Sequence, residues 1–274
     1  MRQVLHIPRG HDGAVWPYHV PGVPWSAHRH RELELNLVTA GHAQVLVAGR
    51  RYRLEPGTLV WLFPEQDHVL FDASPDFQMW IAVFRPALLR RACRDRLTRP
   101  LLAEASDAHL CRRLPMAPRM VLQGMIERLA GQGDEPAVFN SGLGYLLTWA
   151  WSVFHRQAPG SLGLAVHPAV LEAARLLRSG AADATVAELA AACGLSAGRL
   201  SHLFRLQTGV SLSGFRNTCR LERFLQACQE GDTQRHTLLR LALEAGFGSY
   251  AQFHRVFIAH MGMSPRQYFG VERA

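Results

Sequence analysis

The stretch that decides the fold of this chain is TVAELAAACGLSAGRLSHLF, residues 185–204. A second stretch, TLLRLALEAGFGSYAQFHRVF at residues 237–257, repeats its pattern of apolar, glycine and serine positions. The copies match at an offset of 52 residues as far as Gly246, and at an offset of 53 from Ser249 onward, because Gly248 is an extra residue. A repeat of this kind predicts that one small structural unit occurs twice near the end of the chain.

Each copy has the pattern of a helix, a glycine turn and a second helix. Thr185 and Glu188 form a capping box, which satisfies the free amide groups at a helix start, and Ser249 with Gln252 predicts another. Gly194 ends the first helix, because glycine adopts the left-handed conformation without strain. The apolar residues of this helix recur at i, i+3, i+4 and i+7, one helical face: Val186, Leu189, Ala190 and Cys193. This shape places a helix in a DNA major groove, so two copies predict DNA as the partner.

One more helix is expected between the two units. An apolar stripe with the same spacing lies there, formed by Leu221, Phe224, Leu225 and Cys228. A long helix at this place would hold the two units in a fixed orientation. Pro265 predicts the start of a last helix, because proline is favoured at the first helical position.

Residues 185–269 resemble the DNA-binding domain of the AraC/XylS family of bacterial transcription regulators, and the resemblance begins with the lead helix near His167-Pro168. The strongest matches are AGFGS at 245–249, FHRVF at 253–257 and GMSP at 262–265. One departure is Leu212, where the family has the proline seen at Pro265. That proline stiffens a helix start, so its replacement leaves the expected function unchanged.

The resemblance implies a set of DNA-facing residues on the second helix of each unit. They are Gly198, Ser201 and His202 in the first unit, and Tyr250, Ala251, His254 and Arg255 in the second. Arg255 is the best candidate for a bidentate contact with guanine, whereas Arg199 and Arg205 suit phosphate contacts or a solvated surface. The units differ in sequence, so they should read an asymmetric half-site, with major-groove segments ~10 bp apart.

Composition agrees with a nucleic-acid partner without proving one. The net charge is +8 over 274 residues, and all 30 basic residues are arginine. Residues 1–164 carry 18 arginines against 14 acidic residues, and residues 165–274 carry 12 against 8, so each part is +4. A basic balance favours DNA, but the charge is spread evenly and the repeat carries the argument.

The same sequence predicts a cytoplasmic protein with no membrane partner. Its beginning lacks the apolar run of a signal peptide, and the longest apolar stretch, residues 143–154, is too short to span a bilayer. Five scattered cysteines without a Cys-x-x-Cys pair fit a reducing compartment.

The first 85 residues change to the two-residue period of strands, as in Leu33, Leu35 and Leu37. Here the pattern Gly22-x5-His28-x-His30-x3-Glu34-x6-Gly41 is followed by His68, eleven residues after Gly57. This spacing resembles the cupin β-barrel. The second cupin motif is matched at its glycine and histidine, but residues 65–67 replace its inner glycine and its proline is displaced by one.

Two interpretations of the four polar residues His28, His30, Glu34 and His68 remain open at this point. On one strand face, the first three would converge with His68 from a neighbouring strand. Three imidazoles and a carboxylate suit a divalent transition metal. Sensor domains of the resembled family also keep such a pattern as fold residues or as the polar lining of a small-effector pocket without metal. Nearby aromatic residues suit either ligand stacking or the core: Trp25, Trp61, Phe63 and Trp80.

Residues 86–157 return to a helical pattern, with helices expected at 118–129 and 136–155. The second is apolar nearly all round, so it needs cover on several sides. In the resembled family this region pairs two subunits, which predicts a homodimer; a core helix packed on the barrel would explain the same pattern. Residues 158–167 read as a linker.

The expected fold is therefore α+β with two domains. Residues 1–157 form a cupin-like β-barrel with following helices, and residues 168–274 form an all-α domain with helix-turn-helix units at about 185–207 and 237–260. The expected function is a ligand-responsive, sequence-specific transcription regulator, not an enzyme. Its expected partners are double-stranded DNA, a small effector, RNA polymerase and a second copy of the chain. The alternatives are a metal-dependent cupin enzyme fused to a DNA-binding domain and an architectural DNA binder; the barrel argues against the latter.

Overall fold

The computed structural model describes residues 5–19, 28–104, 110–132, 135–158, 163–179, 184–229 and 237–270. The chain forms two compact units that separate between Ala165 and Val166. Among the described residues, no helix is long and apolar enough to cross a membrane.

The first unit is built on two antiparallel sheets. Its strands are β1 (Gly13–His19), β2 (Leu33–Ala40), β3 (Ala43–Val47), β4 (Arg50–Leu54), β5 (Thr58–Leu62), β6 (His68–Phe71), β7 (Gln78–Phe84), β8 (Cys111–Arg113) and β9 (Leu164–Ala165). One sheet has the order β1-β7-β2-β5-β8 and the other the order β6-β3-β4-β9. The helices of this unit are α1 (Pro86–Ala92), α2 (Met116–Ala130) and α3 (Pro136–Arg156), with a 3₁₀ turn at Arg99–Leu102.

Strand β2 lies in the middle of the five-stranded sheet and is buried on both faces. Leu35 is paired with Trp61 of β5, and the Trp61 ring packs edge-on against Trp151 of α3, with centroids 5.4 Å apart. The leucine face of the sheet is therefore covered by α3, whose buried residues include Trp151 and Phe154. Since side chains alternate along a strand, Glu34 and Asn36 face the opposite side, towards the interior between the sheets.

The glycine that closes the first motif is required by its position. Gly41 has φ +65°, and a Cβ there would lie 2.6 Å from the Cα of Phe77. Both the conformation and the lack of space exclude a side chain. The turn between β2 and β3 thus depends on this residue.

The last strand, β9, uses residues of the predicted linker. Leu164 and Ala165 pair with Arg51 and Arg50 of β4. The first unit therefore extends beyond residue 157, and the end of the 158–167 segment adds an edge strand to the four-stranded sheet. Residues 159–162 lie outside the described part of the chain.

The second unit is helical throughout its described residues apart from turns. Its helices are α4 (Pro168–Arg178), α5 (Val186–Ala192), α6 (Ala197–Thr208), α7 (Leu212–Gln229), α8 (Leu238–Glu244), α9 (Tyr250–Met261) and α10 (Pro265–Phe269). Helices α5 and α6 form one helix-turn-helix, and α8 and α9 form the other.

The two turns have the same hydrogen-bonded geometry. Gly194 and Gly246 have φ values of +68° and +96°. After Gly194, the N–H of Leu195 donates to the carbonyl of Ala190 at 2.9 Å, and after Gly246 the N–H of Phe247 donates to Ala242 at 3.1 Å. This is the Schellman ending of a helix, so the repeat seen in the sequence is a repeat in backbone structure.

The helix caps agree with the sequence prediction in the first helix-turn-helix unit and differ from it in one detail in the second. Thr185 and Glu188 form the predicted reciprocal capping box. Ser249 caps α9, but the Gln252 side chain accepts from the N–H of Gly248 at 3.1 Å rather than from that of Ser249. The predicted second box is wrong in this respect, because the more extended φ of Ser249, −162° against −63° at Thr185, turns its own N–H away.

Helix α7 joins the two helix-turn-helix units, as its apolar stripe predicts. Phe215 in its first half packs 5.4 Å from Phe204 of α6. Phe224 in its second half packs 4.4 Å from Phe253 of α9 and 6.1 Å from Phe257. One continuous helix thus contributes to the small core of each helix-turn-helix unit, which holds these two units in a fixed relative orientation.

Candidate DNA-binding surface and ligand cavity

Helix α6 has one buried face and one open face. Leu200, Leu203 and Phe204 are buried. The residues assigned to DNA lie on the rest of the helix: Gly198, Arg199, His202 and Arg205 are exposed, and Ser201 is partly exposed. A Cβ at Gly198 would meet no atom of the described residues within 4 Å, so this position has open space around it.

Helix α9 repeats this arrangement with more aromatic packing. Ala251 and Arg255 are exposed, whereas Tyr250 and His254 are partly buried. The Tyr250 ring packs 5.6 Å from that of Phe253 and 5.9 Å from that of His254. These contacts restrict Tyr250 and His254, while Arg255 projects from the open face.

At one end of the first unit, the structure brings together all four polar residues of the motif. His28 and His68 exchange two backbone hydrogen bonds of 3.0 and 2.9 Å, an isolated bridge that links the two segments. Their Nε2 atoms are 3.1 Å apart. The Nε2 of His30 lies 2.8 Å from Oε2 of Glu34. The spacing predicts that His28, His30 and Glu34 lie on one strand. This prediction is wrong, because a bend at residues 31–32 separates the two histidines from strand β2, which carries Glu34.

Backbone carbonyls orient two of the imidazoles. The Nδ1 of His30 lies 3.0 Å from the carbonyl oxygen of Glu32, and the Nδ1 of His68 lies 3.0 Å from that of Gln66. A carbonyl only accepts, so each Nδ1 carries the proton and each Nε2 is directed into the cluster. Hydrogen bonds of this kind orient the histidines that bind metals in other proteins.

The environment sets the charges of the cluster. Burial lowers the pKa of His68 to about 3, which keeps this imidazole neutral. Burial alone would raise the pKa of Glu34, but the hydrogen bond with His30 outweighs it, and the pKa of Glu34 falls to about 2. Burial opposes the charged form of His30 as well, yet the Glu34 carboxylate raises its pKa. Because the Glu32 carbonyl and the Glu34 carboxylate both only accept, His30 carries a proton on each ring nitrogen and forms an ion pair with Glu34.

The donor atoms fit a divalent transition metal. One ring nitrogen of each of His28, His30 and His68 lies within 4.8 Å of the others. Ligands about 2.1 Å from one ion and at right angles lie about 3.0 Å apart, close to the 3.1 Å between His28 and His68. Glu34 and His30 show a similar spacing of 2.8 Å. Neutral imidazoles and a carboxylate are ligands for such an ion.

A cavity of about 40 Å³ adjoins the cluster. Its polar lining comprises Tyr18, His28, Glu34, Asn36 and His68, and the other lining residues are apolar, with Val60, Leu62, Met79 and Ile81 among them. By volume it holds about three water molecules. Only a small group can therefore enter without movement of the walls.

Sequence reasoning missed Asn36 and Tyr18 as lining residues. Asn36 follows Glu34 by two positions on β2, so the alternation of a strand was the signal that could have found it. Its Nδ2 donates to Oε1 of Glu34 at 2.8 Å, but its Oδ1 has no hydrogen-bond partner in the described structure. Tyr18 lies on β1, which meets β2 only through β7, and no local pattern marked it.

The remaining aromatic candidates that the structure describes belong to the core or pack against it. Trp61 and Phe63 are buried in the main hydrophobic cluster and Trp80 packs against it partly buried. Trp25 and the motif residue Gly22 lie outside the described residues.

Structural comparison aligns this chain with several solved proteins. ToxT from Vibrio cholerae aligns over 96% of this chain and 98% of its own, with 13% identity and a TM-score of 0.37. The AraC-like transcriptional activator CuxR aligns over 73% of this chain and 69% of its own, with 18% identity and a TM-score of 0.35. No curated protein sequence matches the chain.

Two family models match the chain in the order of its two units. A model of the AraC-like ligand binding domain matches residues 10–146, and a model of a helix-turn-helix domain matches residues 189–270. The first covers half of the chain and contains the polar cluster and, except for Leu5, the residues that line the cavity. The second contains α6 and α9. With both units matched, the chain belongs to the AraC/XylS family of ligand-responsive, DNA-binding transcription regulators.

Proposed function

We propose that this regulator binds a small effector and a metal in the cavity of its first unit, and that occupancy changes how α6 and α9 engage DNA. The observation that carries the proposal is the joint occurrence of a buried His–Glu cluster beside a cavity and two open recognition helices in one chain. An effector changes transcription only if it stabilises one state of the protein over another.

On DNA, each recognition helix lies in a major groove. His202 and Ser201 of α6, and His254 and Arg255 of α9, read base edges, and Arg255 contacts guanine. Gly198 and Ala251 allow close approach of the backbone. Arg199 and Arg205 contact phosphates, and these contacts make affinity salt-dependent.

In the first unit, His28, His30, Glu34 and His68 hold a divalent transition metal. Such an ion would supply a Lewis-acidic, positively charged centre at the end of the cavity. The chain's own residues orient the donors through Glu32 and Gln66 and surround them with apolar walls. Mass spectrometry of the untagged protein should find one metal per chain, and none after His30→Ala.

The protein acts as a homodimer through α2 and α3. Both helices expose large apolar residues, which are Met116, Met120, Val121, Val138 and Tyr145. Tyr145 is 61% exposed and lines a groove with Met125 and Leu129. Exposed apolar surface of this kind favours a protein partner, and a second copy satisfies it with a self-complementary contact. Two half-sites would then be read together.

The protein works in the cytoplasm, where the DNA is, and RNA polymerase is its further partner. Leu239 and Leu243 lie one turn apart on α8 and are both exposed, which suits contact with another protein. We assign no catalytic role. The same cluster in a metal-dependent cupin enzyme would leave positions for a substrate, and turnover of a small molecule by the metal-loaded protein would favour that alternative.

The deciding experiment is selection of DNA from a random pool by the full-length, metal-loaded protein. We expect an asymmetric site with two conserved blocks ~10 bp apart, read on one side of the duplex. A protein with alanine at both His202 and Arg255 is the matched control and should lose the enrichment. Failure of the wild-type protein to enrich any sequence would refute the assignment.

A further inference from the structure

The amide of Asn36 is a polar group of the cavity that neither the DNA-binding role nor the metal cluster uses. Asn36 is 6% exposed as a residue and lines the cavity. The Nδ2 is committed to Oε1 of Glu34 at 2.8 Å, which fixes the orientation of the amide. Its Oδ1 is buried and has no hydrogen-bond partner within the described part of the chain. Buried acceptors are almost always satisfied, so a molecule bound in the cavity is expected to donate to this oxygen.

The charge and size of the site restrict what brings that donor. A divalent cation bound to the single carboxylate of Glu34 would leave one positive charge, because imidazoles bind a metal in their neutral form, and this favours a monoanion. The cavity of about 40 Å³, with room for about three water-sized groups, accepts a compact head group. The walls beyond the polar end are apolar, with Val60, Leu62 and Ile81 among them, which favours a short hydrocarbon tail.

We propose that the effector is a short hydroxy acid, whose carboxylate binds at the His28–His30–Glu34–His68 cluster and whose hydroxyl donates to Oδ1 of Asn36. The inference rests on the proposed effector role of this cavity. It makes Asn36 the residue that distinguishes a hydroxy acid from the corresponding plain acid. A site built to pair with a hydroxyl rejects the analogue that lacks it, because its buried acceptor is then left unsatisfied.

The test is calorimetric titration of the full-length, zinc-loaded protein with 2-hydroxypropanoate and with propanoate, which differ only in the hydroxyl. We expect the hydroxy acid to bind roughly tenfold more tightly. In Asn36→Ala the two affinities should become equal. Thr39→Ala is the matched control, since Thr39 lies on the same strand and donates to Gln78 outside the cavity, and it should keep the difference.

Equal affinities in the wild-type protein, no binding of either acid, or an unchanged preference in Asn36→Ala would each overturn the inference. If Asn36→Ala does not fold, Asn36→Leu, which removes the amide and keeps its volume, takes its place in the same comparison. DNA selection with the same preparation distinguishes failure of the effector proposal from failure of the proposed regulator function. An enriched DNA site without hydroxy-acid binding refutes only the effector class. Binding of the hydroxy acid without any enriched DNA refutes the regulator instead.

Discussion

Replacement of Arg255 by alanine separates base reading from phosphate binding. Arg255 is exposed on α9 and alanine is the best helix former, so the folded protein should change by less than ~0.5 kcal/mol in stability. The loss therefore falls on DNA binding. A bidentate contact with guanine is worth ~1–3 kcal/mol, or about 5- to 150-fold in Kd.

The size of this effect alone does not identify the contact, but its dependence on sequence and salt does. Loss of a guanine contact lowers affinity for one base at one position and leaves other bases at that position nearly unaffected. Loss of a phosphate contact weakens all sequences alike and reduces the slope of log K against log salt by about 0.9. Arg199→Ala, on the exposed start of α6, is expected to show this second behaviour.

Fluorescence anisotropy with the selected half-site and its single-base variants, repeated over a range of salt, measures both quantities. The expected result for Arg255→Ala is a preference that disappears at one base pair with the salt slope unchanged. A uniform loss across all variants with a shallower slope would refute base reading by Arg255 and make it a phosphate contact.

Three other predictions concern the first unit and the turns. His68→Ala should abolish the bound metal measured by mass spectrometry, while His42→Ala, an exposed histidine outside the cluster, should retain it; retention by both would exclude the metal site. Gly41→Ala should destabilise its domain by ~3 kcal/mol or more in denaturant unfolding, because strain and a backbone clash add. Gly194→Ala has open space around the new Cβ and should lower the free energy of unfolding by only ~1 kcal/mol. Equal losses of stability in the two variants would contradict the proposed clash at Gly41. Tyr145→Glu should convert the dimer to a monomer in light scattering, and an unchanged mass would place the interface elsewhere.

Much of the second unit could be predicted because its signals are local. A capping residue, a glycine with positive φ and an apolar face all act within one or two turns of helix, so Thr185, Gly194 and the α7 stripe were readable from neighbouring residues. The predicted capping box between Ser249 and Gln252 was wrong in the backbone partner of the Gln252 side chain, and that partner depends on one backbone angle at Ser249. Propensity does not determine such an angle.

The sequence by itself determined the two helix-turn-helix units, the family and the four polar residues of the motif, since each rests on spacing along the chain. Only the tertiary structure decided that His28 and His68 meet across a backbone bridge, that β9 joins the first unit, and that Asn36 faces the cavity with an unpaired oxygen. These facts depend on strand order and register between segments distant in sequence. Spacing along one strand cannot specify them, because the partner strand sets which atoms lie within reach.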